Sequence, residues 1–416
     1  MPEFLTLLPP KEALERLFAH ISFNPGSEDV DTISAPGRIV AHPVTAPHPL
    51  PAFPRSTVDG YAVRAGDTYG ASDTLPAYLT VTGEVSMGTS PDFSLTAGRC
   101  GLIHTGGMLP AGSDAVIMVE NTQVVREGEI EALRAVSVGE NVLKIGEDVA
   151  FSDEIIPAGA RLRPAEIGGL MALGITRVSV ARRPLVGILS SGDEVVSPEA
   201  NVRSGQVRDV NSYSLSALVE QAGGVPIRYG IIPDDAGRLF EVAFQALQAC
   251  DLVVITAGSS ASVRDLTAQV IDALGNPGVL VHGVNVRPGK PTILAACAVP
   301  AGSPPKPVIG LPGNPVSALV IAYLFIVPTL HRMLGMTNPE ARLGLTARIT
   351  INLPSQAGRE DWVPVKLRME NNSFLAEPVF GRSNLIFTLV RADGLACIPA
   401  DATGLEVGDP VTVFLF

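Results

Sequence analysis

The sequence predicts a multidomain protein of mixed class, an α/β domain with a mostly parallel sheet accompanied by two β-rich parts. Three observations lead there. At 416 residues the chain exceeds what one hydrophobic core usually holds, so about two to four domains are expected. Between residues 184 and 330, strand-like and helix-like runs alternate, the pattern that produces a parallel sheet. On either side of that stretch the chain instead shows short β-type runs separated by turn residues.

Taken in order, the first element is an amphipathic helix near Pro10 to His20, with Leu14, Leu17 and Phe18 on one face. From about Ala46 to Leu143 the runs YLTVTGEV, CGLIHTG and DAVIMVENTQVV read as strands of a small β-domain. IPAGARLRPAEIGGLMALGI follows as a turn and a helical stretch. LVGILSSG, VPIRYGIIPDD, DLVVITAG and KPVIGLPG then read as strands. The helices between and after them are SYSLSALVEQAGG, closed by glycine, then RLFEVAFQALQAC, LTAQVIDALG and the apolar VSALVIAYLFIVPTLHRML. Beyond Leu334, LTARITINL, WVPVKLR, SFLAEPVF, GLACIPA and PVTVFLF predict a small all-β domain.

Composition narrows the function. Hydrophobic residues make up 46% and charged residues 17%, which suits a folded chain. No apolar stretch reaches the roughly 20 uninterrupted residues of a membrane helix, and the start lacks a secretory pattern. Cys100, Cys250, Cys297 and Cys397 are far apart and form no CxxC, so they are expected to be thiols in a reducing compartment. A cytoplasmic enzyme is the expectation. The formal charge of −12 argues against a nucleic-acid partner, so an anionic ligand needs a local cluster of donors.

Four polar loops lie at the C-terminal ends of the predicted strands: Ser190 to Glu194, Thr256 to Asp265, Val286 to Pro291 and Leu311 to Pro315. In open α/β sheets, ligands bind at such ends. Small residues there let backbone N–H groups approach a phosphate, and the next helix N-terminus adds a favourable dipole. Ser259, Ser260 and Ser262 add hydroxyl donors. Asp265 would repel phosphate directly and suits a magnesium ligand, with Glu194 as a second carboxylate near the same ion. Lysine is scarce, and Lys290 between glycine and proline stands on a stiff backbone suited to an anion. By periodicity alone Asp59, before Gly60, reads as an Asp-Gly turn, and Thr105, Glu147 and Asp148 as turn residues.

The ordered set of motifs resembles the molybdopterin molybdenumtransferases, the bacterial MoeA proteins and the gephyrin E domain, across essentially the whole chain. Ser56 to Ala62 is similar to S-x-M-D-G-Y-A, with Thr57-Val58 in place of alanine-methionine. Thr105-Gly106-Gly107 through Leu109-Pro110-Ala111-Gly112-Ser113-Asp114-Ala115-Val116 resembles the family's "TGA-x-x-P-x-G-A-D-A-V". Gly146-Glu147-Asp148, Gly192-Asp193-Glu194 and Asp209-Val210-Asn211 match G-E-D, G-D-E and D-x-N. Arg287-Pro288-Gly289-Lys290-Pro291 resembles K-P-G-K-P with arginine first, and Leu311-Pro312-Gly313-Asn314-Pro315 is L-P-G-N-P. The loop Gly258 to Asp265 replaces G-G-V-S-x-G-D and is one residue longer before the acid.

The resemblance implies an elongated segment from residues 1–45 and 144–180, an inserted β-domain at 46–143, an α/β molybdopterin-binding domain at 181–334 and a β-barrel at 335–416. It implies a Mg2+-dependent transfer in which adenylyl-molybdopterin and molybdate (or tungstate) give molybdenum cofactor and AMP. It also implies a homodimer with the site between the α/β domain of one subunit and the β-domain of the other. Asp59, Glu194, Asp265 and Lys290 are implied in catalysis, with Asp265 and Glu194 on the metal. Thr105, Asp148, Asn211, Gly258, Ser259, Ser260, Arg287, Pro312, Gly313, Asn314, Arg359 and Ser383 are implied in substrate binding. Two other readings remain open: a molybdopterin adenylyltransferase, which would match the α/β domain alone, and a non-enzymatic pterin-binding scaffold.

Overall fold

The computed structural model describes residues 7–22, 26–257, 261–340 and 342–416, with backbone only at 261–265. The chain forms two compact units. One comprises Met1–Ala41, Ala158–Arg163 and Val178–Phe416; the other comprises His42–Pro157 and Pro164–Arg177.

The first unit is built on a six-stranded sheet in the order Val225–Ile232, Leu185–Ser191, Leu252–Ala257, Lys306–Pro312, Ile293–Cys297, Pro277–His282. The first four strands run parallel, and the last two pairings are antiparallel, so that Ile293–Cys297 alone runs against the rest. Alternate side chains of a strand leave on opposite faces, and here both faces are apolar. Leu252 and Val254 join one core with Leu215 and Val219 of helix Asn211–Gln221 and with Phe325. Val253 and Ile255 join another with Leu239 and Ala243 of helix Ala236–Ala249 and Ile271 of helix Ala261–Ala273. A strand buried at every position cannot show a polar-apolar alternation, and Leu252–Ala257 is such a strand. Helix Pro10–Phe18 stops two residues short of the expected His20 and buries Leu14, Leu17 and Phe18 in the first of these cores.

Two sequence expectations change here. Residues 261–265, read as loop, are the opening turns of helix Ala261–Ala273, so Asp265 stands on a helix. Nothing in Ala-Ser-Val-Arg-Asp forbids a helix; the serines had suggested a loop. The apolar run after Asn314 is also not one regular helix. It is α-helical over Pro315–Ile321, π-helical over Ala322–Ile326 and α-helical again over Val327–Met333. Pro328 has no N–H to give the Leu324 carbonyl, and the Arg342 guanidinium donates to that carbonyl at 3.3 Å instead. The 19-residue run Pro315–Met333 is long and apolar enough to span a membrane, but 67% of its most apolar window is buried inside the protein, as in a core helix.

The same unit contains a closed five-stranded barrel in the order Glu360–Glu370, Ser373–Pro378, Gly344–Ile349, Pro410–Leu415, Gly394–Ile398. Pairing of Gly394–Ile398 with Glu360–Glu370 completes the closure. Ile349, Val365, Val411 and Val413 fill it. The short strand Val286–Arg287, which belongs in sequence to the α/β part, pairs in parallel with Glu360–Asp361 on this barrel.

The second unit centres on a six-stranded sheet in the order Ala115–Met118, Gly60–Val63, Arg99–Ile103, Ala77–Val85, Glu129–Ala132, Thr122–Arg126. Tyr61, Val63, Leu79 and Ile117 fill one face, and Ala62, Ile103, Leu109 and Val116 the other. Gly60 is required by close approach: a Cβ there would lie 1.9 Å from the Ile117 carbonyl oxygen.

Candidate active site

The parallel strands end in polar loops on one edge of the sheet. There Ser190, Glu194, Asp209, Asn211, Thr256, Gly313 and Asn314 line a cavity of about 550 Å³. Glu194 gets its place from a turn that only glycine fits. Gly192 has φ 152°, and a Cβ on it would meet Val195 Cγ2 at 2.8 Å and Glu194 Oε2 at 2.9 Å. The Glu194 side chain is exposed and has no partner among the described residues.

The floor is a buried polar network that contains the expected Asn211 and adds Asp209, which had been read only as part of a motif. Asp209, 7% exposed, accepts from Ser190 Oγ at 3.0 Å, Ser212 Oγ at 2.5 Å and the Ser212 N–H at 3.1 Å. That last bond ties the carboxylate to the start of helix Asn211–Gln221. Aspartate three residues before serine at a helix start was a visible capping signal. Asn211, 8% exposed, donates through Nδ2 to the Gly313 carbonyl at 2.8 Å. Its Oδ1 is buried without a hydrogen-bond partner. A buried acceptor left unpaired costs about 1–3 kcal/mol, so this oxygen is a candidate ligand atom.

A second cavity, about 740 Å³, lies beside the first. Asn314, Pro315 and Asn384 line the first cavity, while Val316, Ser317 and Ser383 line the second, so the two share a wall. The Val316 N–H holds the Ser383 carbonyl at 3.0 Å across that wall. Arg287, Lys290 and Ser383 line the second cavity. Lys290 is exposed and unpaired among the described residues. Its backbone is held rigidly: Gly289 has φ 113°, a Cβ there would lie 2.3 Å from Ile321 Cγ1, and Thr292 Oγ1 donates to the Gly289 carbonyl at 2.7 Å. Arg359 does not itself line this cavity. It grips Asp361 with two bonds, Nε to Oδ1 at 2.7 Å and Nη2 to Oδ2 at 3.2 Å. Pro312, buried, ends its strand immediately before Gly313 and Asn314 and lines neither cavity.

In the other unit, the antiparallel register Gly60↔Ile103 brings Asp59 next to Thr105. Asp59 Oδ1 accepts the Thr105 N–H at 2.8 Å and its hydroxyl at 3.2 Å. His104 lies 3.9 Å from Asp59 and 2.8 Å from Glu84. The backbone bond from Thr105, then its hydroxyl, hold the Asp59 carboxyl below the ordinary range, and His104 adds a smaller pull. Asp148 stands apart, exposed in a turn whose Asp148 N–H is bound to the Leu50 carbonyl. Gly258, Ser259 and Ser260 lie outside the described residues, as does the side chain of Asp265. Among the described residues no three His, Cys, Asp or Glu side chains gather as a metal site.

Three family models match this chain. The MoeA N-terminal region (domain I and II) matches residues 8–174, a probable molybdopterin binding domain 187–332 and the MoeA C-terminal region (domain IV) 346–416. A molybdopterin molybdenumtransferase of Nostoc is 32% identical over 390 residues, 93% of this chain and 88% of that protein. That of Bacillus subtilis is 30% identical over 419 residues, 100% of this chain and 95% of that one. A crystal structure of a molybdopterin biosynthesis MoeA protein from Pyrococcus horikoshii is 31% identical with a TM-score of 0.85, covering 99% of this chain and 100% of that one. A second MoeA structure from Pyrococcus horikosii is 37% identical with a TM-score of 0.82, covering 99% of each chain.

Proposed function

This chain belongs to the MoeA family of molybdopterin molybdenumtransferases, and from that premise we propose that it inserts molybdate into adenylylated molybdopterin and releases AMP. The observation that carries the reading is the pair of adjoining cavities with different linings. One offers hydroxyls, amides, backbone, Arg208 and the free carboxylate of Glu194; the other offers Arg287, Lys290 and Arg382 against the single, arginine-bound carboxylate of Asp361. An organic substrate with a phosphoanhydride suits the first, and a small dianion suits the second. Tungstate has the same charge and shape and is an equal candidate for the cationic cavity.

The chemistry needs charge neutralisation and placement more than a covalent nucleophile. Lys290 and Arg287 hold and orient the oxyanion. Ser190, Thr256 and the Gly313–Asn314 backbone, at the start of helix Pro315–Ile321, position the pterin and its phosphates. Magnesium fits the donors of the first cavity. It takes hard oxygen ligands, commonly one or two carboxylates plus substrate phosphates, and Glu194 and the orphaned Asn211 Oδ1 supply such oxygens. Asp265, fifth residue of helix Ala261–Ala273, is proposed as the second carboxylate. Bound there, the ion would neutralise developing charge on the phosphate oxygens. Asp59 and Thr105 are proposed to act across a homodimer, and Asp148 is proposed as a substrate contact.

The test is AMP release from adenylyl-molybdopterin with magnesium, with and without molybdate, for the wild type and Glu194→Ala. Molybdate-dependent release by the wild type, reduced at least about a hundredfold in the variant and abolished by chelation, is expected. A wild type that binds the pterin and releases no AMP would overturn the reading.

A further inference from the structure

We propose that Asp361 is a positioning residue for oxyanion binding: locked by Arg359 outside the cavity, it holds the Arg287 guanidinium so that the cationic cavity has one geometry. This rests on the reading of that cavity given above and adds a residue to it.

A carboxylate beside an anion site is unexpected on electrostatic grounds alone, because like charges repel. Asp361 is 4% exposed and lines the cavity. It is also tightly engaged. Arg359 holds both of its oxygens, at 2.7 and 3.2 Å, and Arg287 Nη1 lies 3.8 Å from Oδ2. A bidentate carboxylate–guanidinium pair fixes orientation as well as distance. The two arginines come from distant parts of the chain, and the backbone explains why they meet. Arg287 and Asp361 are register partners in the parallel pairing of Val286–Arg287 with the barrel. Arg359 lies two residues before Asp361, and side chains two apart along an extended chain share a face.

The charges that line the cavity support the assignment: Arg287, Lys290 and Arg382 are cationic and Asp361 is the single carboxylate, so the lining is net positive, as an anion requires. Arg287 is 66% exposed, and a long exposed side chain loses rotamer freedom when it binds. The carboxylate at its back restrains it in advance.

The sign of one substitution decides the matter. If Asp361 were only a neighbouring negative charge, Asp361→Asn would strengthen anion binding. If it positions Arg287, the same change weakens it, by roughly tenfold or more, as loss of an orienting outer partner does at metal sites. The measurement is equilibrium dialysis of the full chain with molybdate alone, and with tungstate alone, beside the KM for molybdate in the AMP-release assay. The expected result is a Kd and a KM for oxyanion that both rise roughly tenfold, with a smaller change in kcat and thermal unfolding close to wild type. Asp361→Glu, which keeps the charge, is expected to recover part of the loss and carries the test if Asp361→Asn does not fold. Oxyanion binding by Asp361→Asn equal to or tighter than wild type overturns the proposal. A wild type that binds neither oxyanion overturns the reading of the cavity itself.

Discussion

Individual residues in this protein are placed by the backbone around them more than by their own chemistry. Asp59 is an exposed carboxylate whose charge is secured chiefly by Thr105, with a smaller pull from His104. Its lowered pKa means that the stability it lends is complete above the ordinary carboxylate range and lost only as pH falls through the folded value. Thr105→Val removes the hydroxyl bond but leaves the backbone N–H bond, the larger influence. The Asp59 pKa should therefore rise only part of the way to its ordinary value, measured by NMR titration of the carboxyl carbon. A full return would mean that the backbone bond contributes nothing. Asp59-Gly60 stood out in the sequence, but its partner did not, since Thr105 becomes a neighbour only through the Gly60↔Ile103 register. Asp361 had no sequence signal for the same reason: its importance depends on a pairing with Arg287 that local pattern cannot show.

Elements with a strong local pattern were legible, and those that depend on distant groups were not. Leu185–Ser191 and Leu252–Ala257 show as uninterrupted apolar runs ending in polar loops. Pro277–His282 and Ile293–Cys297, the antiparallel edge of the sheet, were missed. Their runs are short and bounded by glycine and proline, so they resemble connecting loop. The π segment at Ala322–Ile326 was invisible because the group that satisfies its carbonyl, Arg342, arrives from beyond the helix. Arg342 also lies over the Trp362 and Phe414 rings, at 5.5 and 5.9 Å, and burial lowers its pKa. Arg342→Met keeps much of that packing while leaving the Leu324 carbonyl unpaired. The expected cost is about 1–3 kcal/mol in urea unfolding. A variant as stable as wild type would show that the carbonyl is satisfied otherwise.

For the whole molecule, the succession of β-rich, α/β and again β-rich parts was legible from the change in hydrophobic period, and closure of the last into a barrel only from the family resemblance. Local pattern showed the site as polar loops at strand ends, and the resemblance named its residues, but neither showed how they divide between cavities. Ser190, Glu194, Asn211, Thr256, Gly313 and Asn314 share one cavity, and Arg287, Lys290 and Ser383 the next. The Asp59–Thr105 pair belongs to the other unit. A homodimer is the proposed means by which the latter pair contributes to catalysis. Light scattering at assay concentration should give twice the 43.4 kDa of one chain, and a monomer with full activity would remove Asp59 and Thr105 from a role across subunits.

The strand Val286–Arg287 has a consequence for how such proteins can be recombined. Its sequence neighbours are those of the α/β part, yet its hydrogen bonds are made to the barrel strand Glu360–Glu370. A chimera cut at residue 335, where the barrel begins in sequence, would therefore separate Arg287 from the strand that seats it. On the proposed reading of the cationic cavity, the unit that would have to be exchanged together is the barrel with the segment from Val286 to Pro291.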